Sequence, residues 1–206
     1  HYTYKALDGK RALKARIQAE NGLEVNPDIP LFAMISRIAD QKGYAELLGG
    51  REPALEEILK RRMQLIVVGT GDKHYEDKLQ EMAAVHDNLS VKIAFSNKVA
   101  HETEGAADFF LMPSRYEPCG LNQMYSLVYG TLPVAHRTGG LADTIIDITE
   151  NPKEGTGFLF PDLSLDSILG GVDRALAFFE DKEGMEKAIR NAMRTDFSWD
   201  RSASEY

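Results

Sequence analysis

Six short apolar runs, each followed by a turn and then by a stretch of helical periodicity, constrain this chain more than any other feature. They are Leu31 to Ser36, Gln64 to Gly69, Leu89 to Phe95, Asp108 to Pro113, Thr131 to His136 and Gly157 to Phe160. Runs of this length and composition read as buried strands. Helical patterns lie between them. Asp72 is placed to cap a helix carrying Tyr75, Leu79, Met82 and Ala83, and Pro53 suits the first turn of one carrying Leu55, Ile58, Leu59 and Met63. Ser164 is placed to cap a third, with Leu165, Ile168, Leu169, Val172, Leu176 and Phe179 as its apolar stripe. Lys10 to Arg16 is locally basic at helical spacing and reads as a solvated helix face. Parallel strands need crossovers, so the economical architecture is an α/β fold, a doubly wound parallel sheet with helices on both faces.

Composition narrows what such a sheet serves. With 24 Lys and Arg against 32 Asp and Glu, the net charge of −8 leaves no basic footprint for nucleic acid. No apolar run approaches a membrane span, and His1 to Lys14 is unlike a signal peptide. The single cysteine, Cys119, excludes an internal disulfide, which fits a cytoplasmic or plastid-like interior. The chain starts without Met and ends at Ser202 to Tyr206 with no Gly or Pro stop, so it is expected to be a piece of a larger protein.

Open parallel sheets bind ligands beyond the carboxyl ends of their strands, so the residues that follow each run carry the functional information. After the first come Arg37 and Lys42, two cations suited to a diphosphate, or equally two surface side chains. Gly69-Thr70-Gly71 follows the second, but His74 replaces the third glycine of a dinucleotide fingerprint, which favours an ordinary tight turn. Phe95 ends the third run, as core or as a stacking partner for a purine. After the fourth, Pro118 and Gly120 precede a helix reading Leu121, Met124, Tyr125 and Val128. There the N–H groups of Cys119, Gly120 and Leu121 would lie beside the Glu117 carboxylate, a clamp for a polyhydroxylated ring. After the fifth, Thr138-Gly139-Gly140 opens a helix whose start is left free for an anion. Together these features describe a nucleotide-diphosphate-sugar site. No Asp-x-Asp, Walker A or G-x-S-x-G motif occurs, and Cys119 has no identifiable partner for nucleophilic chemistry.

In Ser36-Arg37 through Gln41-Lys42-Gly43, Gly69 to Asp72, Pro113 to Gln123 and Arg137 to Leu141, the sequence resembles the carboxyl-terminal half of bacterial glycogen synthases and plant starch synthases, from about Leu31 to Trp199. The resemblance implies the Rossmann-like, donor-binding half of a GT-B glycosyltransferase, with residues 1–206 as that domain and the acceptor-binding amino-terminal domain outside this chain. It also implies metal-independent, retaining transfer of glucose from ADP-glucose to the non-reducing end of an α-1,4-glucan, with no cofactor. Carried over by position, Arg37 and Lys42 would hold the diphosphate, Phe95 would stack on adenine, and Glu117, Cys119, Gly120 and Leu121 would hold glucose. Asn122 and Tyr125 would line the same pocket, and Thr138, Gly139 and Gly140 would approach the phosphates. Related retaining transferases often place a second Glu eight residues after the first, where this chain has Tyr125. Two other readings stay open on the residues alone, a non-catalytic nucleotide-sugar-binding module and a dinucleotide-binding oxidoreductase domain.

Overall fold

The computed structural model of the chain describes residues 2–94 and 96–197. Strands β1 (Leu31–Ile35), β2 (Gln64–Gly69), β3 (Leu89–Ile93), β4 (Phe109–Met112), β5 (Leu132–His136) and β6 (Phe158–Phe160) form one sheet, every pair parallel, in the order β3-β2-β1-β4-β5-β6. Each of the six apolar runs supplies one strand: Gln64 to Gly69 is β2 residue for residue, and the other five are trimmed by one or two residues. Strand order reverses direction between β1 and β4, so the loops leaving these two strands diverge and open a crevice at their carboxyl ends.

Along each strand, alternate residues enter opposite cores, which is why the runs are apolar throughout. Phe32, Met34, Leu65, Val67, Phe109 and Leu111 face one layer. Leu31, Ala33, Ile66, Val68, Phe110 and Met112 face the other. The first layer is covered by α3 (Ala54–Leu59) and α8 (Leu165–Phe179), the second by α1 (Asp8–Glu20) and α5 (Asn97–Ala106). In α8 the expected cap forms, Ser164 Oγ accepting from Ser167 N at 3.3 Å, and Ile168, Val172, Ala175 and Phe179 are buried. Helix α9 (Lys182–Arg194), capped by Asp181 Oδ1 on Gly184 N, packs Met185, Ala188, Ile189 and Ala192 inward. None of the described helices is long and apolar enough to cross a membrane.

Four local expectations are corrected. Asp72 holds the cap position of α4 (Lys73–Ala83), but its side chain makes no cap bond; the Gly71 N–H goes instead to Glu76 Oε1 at 2.8 Å. Met63 lies beyond the end of α3, buried against the core in its own right. The basic stretch on α1 is only half solvated. Lys10 and Lys14, one turn apart, point into the protein, where Lys10 Nζ donates to Gly105 O, Tyr129 O and Thr131 Oγ1 and Lys14 Nζ pairs with Asp108 Oδ2 at 2.7 Å. Their apolar stems pack and their ammonium heads find fixed acceptors, which a charge count does not reveal. Finally, α6 (Asn122–Val128) turns the opposite way to its apolar pattern: Gln123, Ser126 and Leu127 are buried, whereas Leu121, Tyr125 and Val128 are 57%, 47% and 52% exposed.

Candidate functional site

The loops leaving β1 and β4 meet at the point where strand order reverses. Asp40–Lys42 forms one turn of 3-10 helix, which aims Lys42 across the crevice, and its Nζ pairs with Glu117 Oε2 at 2.5 Å. Both side chains are largely shielded, so the pair sits in a low-dielectric setting where charge-assisted bonds are strong. Gln41 laces the same loops together: its Oε1 accepts from Arg37 Nη2 at 3.1 Å, its carbonyl from Arg115 N at 2.9 Å, and its Nε2 reaches Tyr116 O at 3.4 Å.

Behind Glu117 the backbone is held by close approach. The Gly140 N–H donates to Glu117 O at 2.9 Å, and a Cβ on Gly140 would stand 2.5 Å from the Cys119 carbonyl carbon. Gly139 takes φ +44°, a conformation L side chains rarely adopt, against the same loop. Gln123, fully buried, donates from Nε2 to Cys119 O at 3.0 Å and Gly120 O at 2.9 Å, and Thr144 Oγ1 lies 3.3 Å from the same nitrogen. The loop from 117 to 120 is therefore clamped between α6 and α7 (Gly139–Thr144).

This corrects the expectation for the Thr138-Gly139-Gly140 turn. Its helix start is only partly free: Gly140 N serves Glu117 O, Leu141 N serves Thr138 O and Thr138 N serves His136 O, which leaves the Gly139 N–H as the one donor there with no partner among the described residues. The two glycines support the Glu117 loop from behind. Cys119, Gly120 and Leu121 N–H groups, in contrast, have no hydrogen-bond partner among the described residues, as the clamp reading requires.

Beside the ion pair, at the carboxyl ends of β1, β2 and β3, opens a cavity of about 430 Å³, within the range of small-ligand sites. Arg37, Asn122 and Tyr125 line it together with Ser36, Gly69 and Thr70, whereas Lys42, Glu117, Cys119, Gly120 and Leu121 are not part of its lining. Lys42 and Asn122 line a narrow crevice next to it, and Asn122 Nδ2 is fixed by Ile35 O at 2.7 Å. Phe95 lies outside the described residues; its neighbours Ala94 and Ser96 are on the cavity wall. Gly69 and Gly71 act as packing residues: Cβ atoms there would stand 3.2 Å from the Ser36 carbonyl carbon and 2.8 Å from that of Ile38. That close packing, with Asp72 N on Ile38 O, gives the pattern a role that needs no dinucleotide.

The sequence reading missed one wall. Asn97, Ala100, His101 and Glu104 of α5 all face the cavity at one- and two-turn spacing. The signal was this stripe of small and polar residues, which reading only the residues directly after each strand passes over. His101 Nδ1 lies 3.3 Å from Tyr129 Oη, and its ring is 6.2 Å from that of Tyr125. Burial raises the Glu104 carboxyl to about 8, with Lys10 acting against the rise. No cluster of potential metal ligands occurs among the described residues.

Fold and site together define a class, the carboxyl-terminal, nucleotide-binding half of a GT-B glycosyltransferase. The chain belongs to the glycosyl transferases group 1 family, which it matches over residues 16–194. It is 45% identical over 210 residues to a glycogen synthase of Nitrosospira multiformis and 45% identical over 207 residues to one of Geotalea daltonii. All of this chain is covered in both alignments, but it spans only 42% of the length of those relatives. Among solved structures, the catalytic domain of starch synthase IV from Arabidopsis thaliana, bound to ADP and acarbose, superposes with a TM-score of 0.91 at 28% identity. That match covers 100% of this chain and 43% of the other. A sucrose-phosphate synthase of Thermosynechococcus elongatus, at 23% identity and a TM-score of 0.69 over 95% of this chain and 48% of the other, shares the fold.

Proposed function

We propose that residues 1–206 are the donor-binding domain of an ADP-glucose:glucan glucosyltransferase, paired in a longer cytoplasmic or plastid polypeptide with an acceptor-binding domain. The observation that carries this reading is the Lys42–Glu117 pair at the strand-order reversal, with Arg37 and the cavity beside it. A diphosphate entering over Arg37 competes with Glu117 for Lys42. Drawing the ammonium away releases a carboxylate oxygen to accept from glucose hydroxyls, while the Cys119, Gly120 and Leu121 N–H groups donate to the ring or to the adjoining phosphate. Asn122 and Tyr125 bound the same space, and Phe95 is the candidate base-stacking residue. Thr138, Gly139 and Gly140 act through the loop they support.

In the transfer, the bond from the glucose anomeric carbon to the diphosphate oxygen breaks, and that oxygen receives the electron pair. The glucan 4-hydroxyl forms the new bond on the same face, with retention, and its proton passes to the departing phosphate oxygen. Arg37 and Lys42 stabilise the diphosphate charge as it develops, so no metal is required in this scheme. Glu117 orients the ring and stabilises positive character at the anomeric carbon.

The test is glucose transfer from ADP-glucose to an α-1,4-glucan by the longer polypeptide. Arg37→Ala and Lys42→Ala should each lower turnover by about 10²-fold or more, the usual cost of deleting a group aimed at developing charge. Unchanged kinetics in both variants would overturn the assignment. This chain by itself, lacking the acceptor domain that aligns substrate and excludes water, should bind donor weakly and transfer little or no glucose.

A further inference from the structure

The inner wall of the cavity carries a group that the diphosphate chemistry does not use. Glu104 is only 4% exposed, lines the cavity with His101, Asn122 and Tyr125, and its Oε1 is buried with no hydrogen-bond partner among the described residues. The donors and charges around it are committed elsewhere. From α1, Lys10 Nζ gives its protons to Gly105 O at 3.0 Å, Tyr129 O at 3.2 Å and Thr131 Oγ1 at 2.8 Å. From the amino-terminal segment, Tyr2 Oη donates to Gly105 O and Tyr129 O. From the far end of α6, Tyr129 Oη meets His101 Nδ1 on α5 itself, and Thr131 Oγ1 donates to the Glu104 carbonyl at 2.5 Å. A buried carboxylate without a donor is costly, so the group holds its proton; in that form it both donates and accepts, whereas the ionised form only accepts.

We propose that the protonated Glu104 carboxyl hydrogen-bonds the nucleobase of the bound nucleotide at the inner end of this cavity, making nucleotide affinity depend on that proton. This rests on the reading of the cavity as a nucleotide site. With Oε1 buried, Oε2 is the oxygen left to meet a base, and as a hydroxyl it donates to a ring nitrogen of the kind adenine presents. The carboxylate would lose that donation and face the ring nitrogen with a lone pair.

The test is calorimetric titration of the chain with ADP and, separately, with inorganic pyrophosphate between pH 7 and 9, for the natural protein, Glu104→Gln and His101→Asn. With the carboxyl near 8, ADP affinity of the natural protein should fall about tenfold for each pH unit above that value. Glu104→Gln keeps a donor and an acceptor in the same shape, so its ADP affinity should stay level. Pyrophosphate affinity should follow the same course in both proteins, and His101→Asn should keep the alkaline fall. Independently, the carbon-13 resonance of the Glu104 carboxyl in the natural protein should titrate at higher pH with ADP bound. The proposal is overturned by equal pH profiles in the natural protein and Glu104→Gln, by loss of the alkaline fall in His101→Asn, or by a carboxyl midpoint that ADP does not move. Absence of ADP binding at every pH would instead overturn the nucleotide reading, and this one with it.

Discussion

Replacing Gly140 by alanine tests how the Glu117 loop is positioned. The added Cβ would stand 2.5 Å from the Cys119 carbonyl carbon and 2.8 Å from its Cα, both backbone atoms that cannot swing aside as a side-chain tip can. Ordinary van der Waals contact begins at 3.4 Å and the Cys119 carbonyl oxygen lies closer still than its carbon, so the loop must withdraw by at least about 0.9 Å. The same movement stretches the 2.9 Å bond from Gly140 N to Glu117 O and pulls Glu117 from its 2.5 Å contact with Lys42. Overpacking of this kind costs roughly 1–3 kcal/mol of stability, and a displacement near 1 Å at a reacting centre costs on the order of 10²-fold in rate. Urea denaturation followed by circular dichroism reads the first effect. Transfer from ADP-glucose by the longer polypeptide carrying Gly140→Ala reads the second. A variant with an unchanged midpoint and unchanged turnover would refute the argument that the glycine turn sets the loop from behind.

Two further outcomes concern stability. Burial raises Glu104 from 4.5 to about 8, so between those values the unfolded chain has released a proton that the folded chain retains, and stability falls as pH rises. Burial lowers Lys10 from 10.5 to about 7, so above pH 7 it is the unfolded chain that holds the extra proton and stability recovers. Denaturation midpoints measured from pH 5 to 10 should therefore dip near pH 7 to 8, and Glu104→Gln should flatten the descending limb; an identical descent in the variant would contradict the assignment. Ser164→Ala removes the cap on the first turn of α8 and should cost about 1 kcal/mol, read as a lower urea midpoint, whereas no shift would mean that the Ser167 N–H is satisfied by water.

The strands were legible because both faces of the sheet are buried, which leaves continuous apolar runs bounded by glycine, proline and polar turns. The position of Arg37 and Lys42 at the carboxyl edge of the sheet was legible because the loop after a strand has only one edge to occupy. What stayed hidden depends on partners distant in sequence. Lys10 and Lys14 look like surface charge until Gly105, Asp108, Tyr129 and Thr131 are placed around them. The α6 pattern points its apolar residues outward because Gln123 is needed inside to hold the carbonyls of Cys119 and Gly120. Gly139 and Gly140 have the composition of an anion-binding turn, and only the approach of Glu117 and Cys119 shows that their small size serves packing. Glu104 sits two turns into its helix, beyond the reach of any rule that reads loop residues alone.

The most direct measurement is an amide chemical-shift titration of the chain with ADP-glucose, run beside UDP-glucose and NAD. Saturable shifts should concentrate in residues 35–37, 69–70 and 117–122, with ADP-glucose the tightest of the three, and Lys42→Ala should weaken them. Shifts that fall on other faces of the sheet, or saturation by NAD without ADP-glucose, would contradict a nucleotide-sugar site at the β1 and β4 loops.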